Sequence, residues 1–336
     1  MLYLLSWTGN FFRREYSLIS TLIKKGAGFS QDEKLELMQT LCDAIGRILP
    51  FYKELMDEGA IEISATPFYH PILPLLINLD SAKEALPEIS MPAVFGDFKN
   101  DPDWHVAEAS SYFQQTFGHK PAGMWPAEGS ISREAAELFT RHGIKWIASD
   151  EDVLAGSKGI SLSSPEQRKS LYKNYFYETK HGKINIFFRD KTLSDLIGFT
   201  YSSQDAEKSA DDFIARLKEI YTASEKSPLV SVILDGENAW EYYPENAEPF
   251  FRALYKKLQS ADWINTLTMS EAMTLADTEQ EQLSNIRAGS WTYGNFTTWL
   301  GHKEKNEAWR LLASARLAVE SCPDEALMGK GNERNT

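Results

Sequence analysis

Two acidic side chains, Glu128 in GMWPAEGSIS and Asp235 in VILDGENAWEYYP, stand at the ends of short apolar runs far apart in the chain. Each has a plain structural use: Asp235 as the N-cap of a following helix, Glu128 as half of an ion pair. Together they have a chemical one. Carboxylates flanking a glycosidic bond let one group attack or activate water while the other hands a proton to the leaving oxygen. The oxocarbenium-like transition state requires this division, with negative charge on one side and an available proton on the other. Their separation, which distinguishes retention from inversion, is not written in the sequence.

The neighbours suit a sugar. Gly236 allows a sharp turn, Glu237 and Asn238 add hydrogen-bonding groups, and Trp240, Tyr242 and Tyr243 add flat faces, as does Trp125 before Glu128. His70, in TPFYHPILPLL, can bond a hydroxyl or serve as a structural histidine. In FFRDKTLSD, Arg189 and Asp190 are candidates for a pair at the site mouth that sets the ionisation of a catalytic carboxylate. Asp150, Glu151 and Asp152 read as a solvated acidic loop. Trp291, Trp299 and His302 either close over a sugar or pack the C-terminal part of the chain onto the rest.

Residues so far apart meet only if regular elements carry them to one place. Six apolar runs recur, in AIEISATPFYHP, GMWPAEGS, IKWIASDED, KINIFFRDKTLSD, PLVSVILDGENAWEYYP and DWINTLTMSEAM, and most end in polar or aromatic residues. Helical stretches separate them, so the pattern predicts a parallel sheet buried on both faces. Functional groups at the C-terminal ends of parallel strands are the mark of a TIM-type barrel. Six runs fall short of a full barrel of eight. Before them, SQDEKLELMQTLCDAIGRIL carries a capping box at Ser30 and Glu33 and an apolar stripe of Leu35, Met38, Cys42, Ile45 and Leu49. After them, an aromatic, Gly-rich loop leads into a helix over 304–319.

Composition narrows the partners. The formal charge is -13 over 336 residues, and no basic stripe is present to displace counterions, so nucleic acid and anionic membranes are not expected. Two cysteines without a CxxC spacing argue against a disulfide framework or a cysteine-ligated zinc. The six histidines are scattered, and no metal or other cofactor is predicted. The opening MLYLLSWTGNFF lacks the basic flank and cleavage site of a signal peptide and is too short to span a bilayer, which makes a cytoplasmic location the default.

IEISATPFYHPILPLL, GMWPAEGSIS, FFRDKTLSDLIGF, ILDGENAWEYYP and SWTYGNFTTWLGHKEKNEAW together resemble, in order, the motifs of glycoside hydrolase family 57, in its α-amylase and amylopullulanase-like branch. The resemblance implies an α/β fold, an incomplete TIM-like (β/α)7 barrel followed by a helical region, and retaining hydrolysis of α-glucans with no metal in the chemical step. It implies Glu128 as nucleophile and Asp235 as general acid/base. Glu62 and His70 lie in its second motif, and Trp299 or His302 near its fifth. With Trp125, Arg189, Asp190, Glu237 and Trp240, these complete the expected contacts to an α-glucan oligo- or polysaccharide. The family's opening His-Gln-Pro strand has no counterpart here, so the expected barrel lacks its first strand. The expected layout is a barrel over 1–277, a C-terminal loop and helix over 278–328, and a disordered tail over 329–336. Two other activities compete: 4-α-glucanotransfer or branching through the same chemistry, and carbohydrate binding by a barrel crippled by the absent strand.

Overall fold

The computed structural model describes residues 1–93, 98, 100–236 and 240–321. At its centre is a five-stranded mixed sheet: β1 (Gly123–Met124), β2 (Trp146–Asp150), β3 (Asn174–Thr179), β4 (Gly182–Arg189) and β5 (Gln280–Gln282), in the order β1-β2-β4-β3-β5. β1, β2 and β4 run parallel, which their continuous apolar character demands, since both faces are covered. On one face Ile147, Ile184, Ile186 and Phe188 pack against Ala135, Ala136, Leu138 and Phe139 of the helix Arg133–Arg141. On the other, Trp146, Ala148 and Phe187 meet Ala272, with Trp125, Leu229 and Ile233 alongside.

The sheet departs from a ring of parallel strands. β3 joins β4 as an antiparallel hairpin turned at Gly182, whose φ of 122° is open to glycine alone, and β5 lies parallel to β3. Two expected strands are extended but make single parallel bridges, Ala65 to Met124 and Ser231 to Arg189. They flank β1 and the end of β4, so 61–65, β1, β2, β4 and 229–234 form a row of parallel segments. The sixth run makes no strand; Thr268 instead caps the helix Met269–Ala272 through a capping box with Glu271. β5 lies beyond position 277 yet pairs with β3, so the C-terminal loop is continuous with the main sheet rather than an appendage.

Helices surround this frame. Ser30 and Glu33 form their capping box at the start of Gln31–Gly46, but the predicted stripe faces outward: Leu35, Met38, Ile45 and Leu49 are exposed. Leu37 and Ala44 are buried instead, with Leu37 against Leu5, Ile19 and Leu22, because the neighbouring helices lie on that side. The helices Ala206–Ala223 and Glu248–Ser260 pack together beside 229–234. Lys303–Glu320 is the helix expected near the C-terminus. No described helix is long and apolar enough to cross a membrane.

Candidate active site

Glu128 sits in a turn that the sequence around it builds. β1 ends at Met124, Pro126 follows, and Glu128 and Gly129 then adopt successive left-handed conformations, with φ of 58° and 57°. For a residue with a Cβ this costs about 1–2 kcal/mol, and contacts across the fold hold it in place. The Trp291 amide donates to the Glu128 carbonyl at 3.0 Å, and Ser149 Oγ donates to the Gly129 carbonyl at 2.6 Å. A Cβ on Gly129 would come within 3.1 Å of Trp125 and 3.3 Å of Trp291, so the glycine lets both indoles close on the turn.

The carboxylate is held from two sides. Trp291 Nε1 donates to Oε2 at 2.9 Å, and His70 Nε2 lies 3.0 Å from Oε1. The Glu128 side chain remains 31% exposed, so it is fixed without being sealed off. Trp125 meets Trp291 edge to face, with centroids 4.9 Å apart.

Behind Trp291 lies a buried charge pair. The Arg189 guanidinium stacks over the Trp291 ring at 4.9 Å, donates through Nε to Asp150 Oδ2, and has Nη1 3.6 Å from Asp195. Arg189 and Asp150 are register partners on adjacent parallel strands, so their side chains leave the same face. Asp150 is fully buried, and burial pushes its carboxyl up to about 6 although Arg189 opposes the shift. The solvated acidic loop expected at 150–152 is corrected here, since Asp150 is the innermost charge of the region.

The expected Arg189–Asp190 pair does not form. Successive residues leaving a strand point to opposite sides. Asp190 therefore turns away, caps Leu193 N at 2.9 Å, and accepts from Tyr172 OH at 2.9 Å and Arg168 at 3.1 Å.

A cavity of about 400 Å³ is lined among others by Arg189, Ser194, Asp195, Asp235 and Trp291, with the exposed rings of Phe199 and Tyr293 also on it. Trp291 bonds Glu128 through its ring nitrogen and lines the same cavity as Asp235. The region holds a carboxylate fixed by two ring donors and, at the cavity that shares Trp291, a second acid.

Other predicted contacts lie elsewhere. Glu62 is consumed in the framework, accepting from Trp146 Nε1 at 2.9 Å and from Ser270 N at 2.9 Å and Oγ at 2.5 Å. Trp240 packs on Phe251 and Tyr243. Trp299 accepts from Trp309 Nε1 through its carbonyl and rests against Phe296, so it fastens the C-terminal helix. His302 is exposed at that helix's start, near Glu304. Glu237 falls outside the described residues. Sequence reasoning missed Asp195, Phe199 and Tyr293; the LIGF turn after an acid was the available hint for the first two. Among the described residues no group of His, Cys, Asp and Glu is spaced to hold a metal ion.

Known proteins resemble this chain over most of its length. A model described as Glycosyl hydrolase family 57 matches residues 1–287. Alpha-amylase 1 of Dictyoglomus thermophilum is 22% identical over 214 residues, 64% of this chain and 24% of the amylase. Among solved structures, a GH57-type branching enzyme from Pyrococcus horikoshii superimposes with a TM-score of 0.62 at 18% identity, covering 93% of this chain and 61% of the enzyme. A 4-alpha-glucanotransferase from Thermococcus litoralis superimposes with a TM-score of 0.52 at 19% identity, covering 76% and 35%. The chain therefore spans about a quarter of the amylase's length and between a third and two-thirds of these two enzymes.

Proposed function

The chain belongs to glycosyl hydrolase family 57, and we propose that it cleaves α-glucans with retention of configuration, using Glu128 as nucleophile and Asp235 as general acid/base. The observation that carries this reading is the grip of Trp291 and His70 on the Glu128 carboxylate, Trp291 being also a wall of the cavity that Asp235 lines. Glu128 attacks the anomeric carbon as the glycosidic C–O bond breaks, and Asp235 gives its proton to the departing sugar oxygen. The glycosyl ester on Glu128 is then opened by water, whose proton Asp235 takes, and both carboxyls return to their starting states. The barrel reading of the fold belongs with this proposal, the row of parallel segments from 61–65 to 229–234 supplying one wall.

A sugar hydroxyl in place of water would make the same intermediate a transfer step, and the solved relatives named as a glucanotransferase and a branching enzyme keep that reading in view. The test is direct. Glu128→Gln abolishes turnover of maltodextrin, whereas Asp235→Ala is rescued by azide on substrates with activated leaving groups. Full activity in the Glu128 variant ends the proposal. Longer chains or new branches among maltooligosaccharide products assign transfer rather than hydrolysis.

A further inference from the structure

Four aromatic rings cluster next to His70, three of them exposed, and the cavity lined by Asp235 and Trp291 uses none of them. Tyr69, next to His70 in the chain, is 79% exposed, and its ring lies parallel to Phe68 at 5.1 Å and tilted to Trp104 at 6.1 Å. Phe68 in turn meets Tyr112 at 5.5 Å. Trp104 and Tyr112 belong to the helix Asp101–Phe117 and are 46% and 55% exposed. Spaced eight apart, they share one helix face with the exposed Glu108 between them. The Phe68 amide donates to the His105 carbonyl at 3.1 Å, which pins the loop to this helix.

We propose that Tyr69, Trp104 and Tyr112 form a docking platform for an α-glucan chain whose reacting end lies at Glu128. This inference rests on the activity proposed above. Three exposed rings are a large apolar expense on a surface unless something covers them. Their tilt makes a bent surface of separate faces, which suits successive sugar rings that stack through their C–H faces, and Glu108 offers an acceptor for hydroxyls between them. The platform is continuous with the site through the Tyr69–His70–Glu128 connection. Its acid content and the chain's net charge of -13 disfavour a polyanion there.

The test measures binding in a Glu128→Gln background, so that the ligand survives. Electrophoresis through gels containing glycogen and calorimetry with maltoheptaose are run on Tyr69→Ala, Trp104→Ala and Tyr112→Ala, with Tyr69→Phe and Trp104→Phe as partners that keep a ring. Each alanine variant is expected to weaken maltoheptaose binding by about tenfold and to lose gel retardation, while the phenylalanine variants stay within about twofold of the parent. Circular dichroism and melting temperature confirm that the exposed substitutions fold. Equal retardation of parent and alanine variants overturns the platform and leaves the activity standing. A wild-type chain that neither binds nor cleaves glycogen, starch or maltodextrin overturns the activity and the platform together. A dimer that the alanine variants dissolve while glucan binding stays unchanged assigns the patch to a second copy of the chain and also overturns the platform.

Discussion

His70 Nε2 lies 3.0 Å from Glu128 Oε1, and both residues hold left-handed backbone conformations, with φ of 66° and 58°. Two strained turns from remote parts of the chain meet at one oxygen. Neither turn is the natural choice of its own residues, since a Cβ disfavours that region. Conformations of this kind persist where surrounding structure over-determines them, and they gather at functional sites. Here Trp291 completes the over-determination by bonding both the backbone carbonyl and the side chain of Glu128.

These two hydrogen bonds make Trp291 a test of how far Glu128 depends on positioning. Trp291→Phe keeps a ring beneath Arg189 but removes the Nε1 donor. A hydrogen bond to a charged group contributes about 1.5–3 kcal/mol, so kcat should fall roughly 10- to 100-fold if the bond serves the transition state. Steady-state kinetics on maltodextrin measures this. An unchanged kcat would show the indole nitrogen to be irrelevant to the reaction.

Gly129→Ala separates backbone strain from crowding. The substitution carries the left-handed cost of about 1–2 kcal/mol, and its Cβ also meets Trp125 at 3.1 Å and Trp291 at 3.3 Å. Gly143 is equally left-handed, with a φ of 82°, but opens on empty space. Gly143→Ala should therefore lose comparable stability in urea unfolding and keep its activity, whereas Gly129→Ala should lose both. Equal activity in the two variants would remove crowding as the cause.

Asp150 predicts an unusual pH dependence. Its folded carboxyl is pushed up to about 6 from an ordinary value of 3.8 by burial, so between those limits the folded state binds the proton more tightly than the unfolded chain. The group's contribution to stability is then most favourable below about 4 and is lost as pH rises through 6, at a cost on the order of 1–3 kcal/mol. Asp150→Asn cannot titrate. The stability of wild type minus that of the variant, from urea unfolding at pH 4.5 and pH 7, should fall as pH rises. A difference that grows with pH would mean that Arg189, not burial, governs the carboxylate.

Glu62 should behave as framework. Its carboxylate ties Trp146 of β2 to Ser270 across the sheet face. Glu62→Ala leaves buried donors without an acceptor and should cost about 1–3 kcal/mol of stability. With the protein still folded below its lowered melting temperature, KM for maltodextrin should stay within about twofold of wild type. A large rise in KM at unchanged stability would return Glu62 to the substrate.

Much of this was legible in the residues themselves. Apolar runs long enough to be buried on both faces announced β2 and β4, and the polar residues closing the runs placed Glu128, Asp150 and Arg189 at or just after strand ends. The hairpin partner β3 carries its own signal, the strand-favouring aromatic run of Tyr175, Phe176 and Tyr177 before a turn closed by Gly182, but it is too short and too polar at its ends to stand out as an apolar run. The single-bridge segments were expected as full strands because composition reports burial and says nothing of whether a neighbouring backbone lies within bonding distance.

Local spacing by itself determined which residues share a strand end, which side of a strand each faces, and where a helix begins, because these follow from backbone periods of two and 3.6 residues. Only the tertiary structure decided the partners. Arg189 meets Asp150 rather than its neighbour Asp190, Glu128 is held by Trp291 rather than Trp299 or His302, and the helix after Ser30 buries Leu37 while its apparent apolar stripe faces outward. Those choices depend on inter-strand register and on which surface a remote element covers. Both are set by the packing of the whole chain, and no local stretch of sequence contains them.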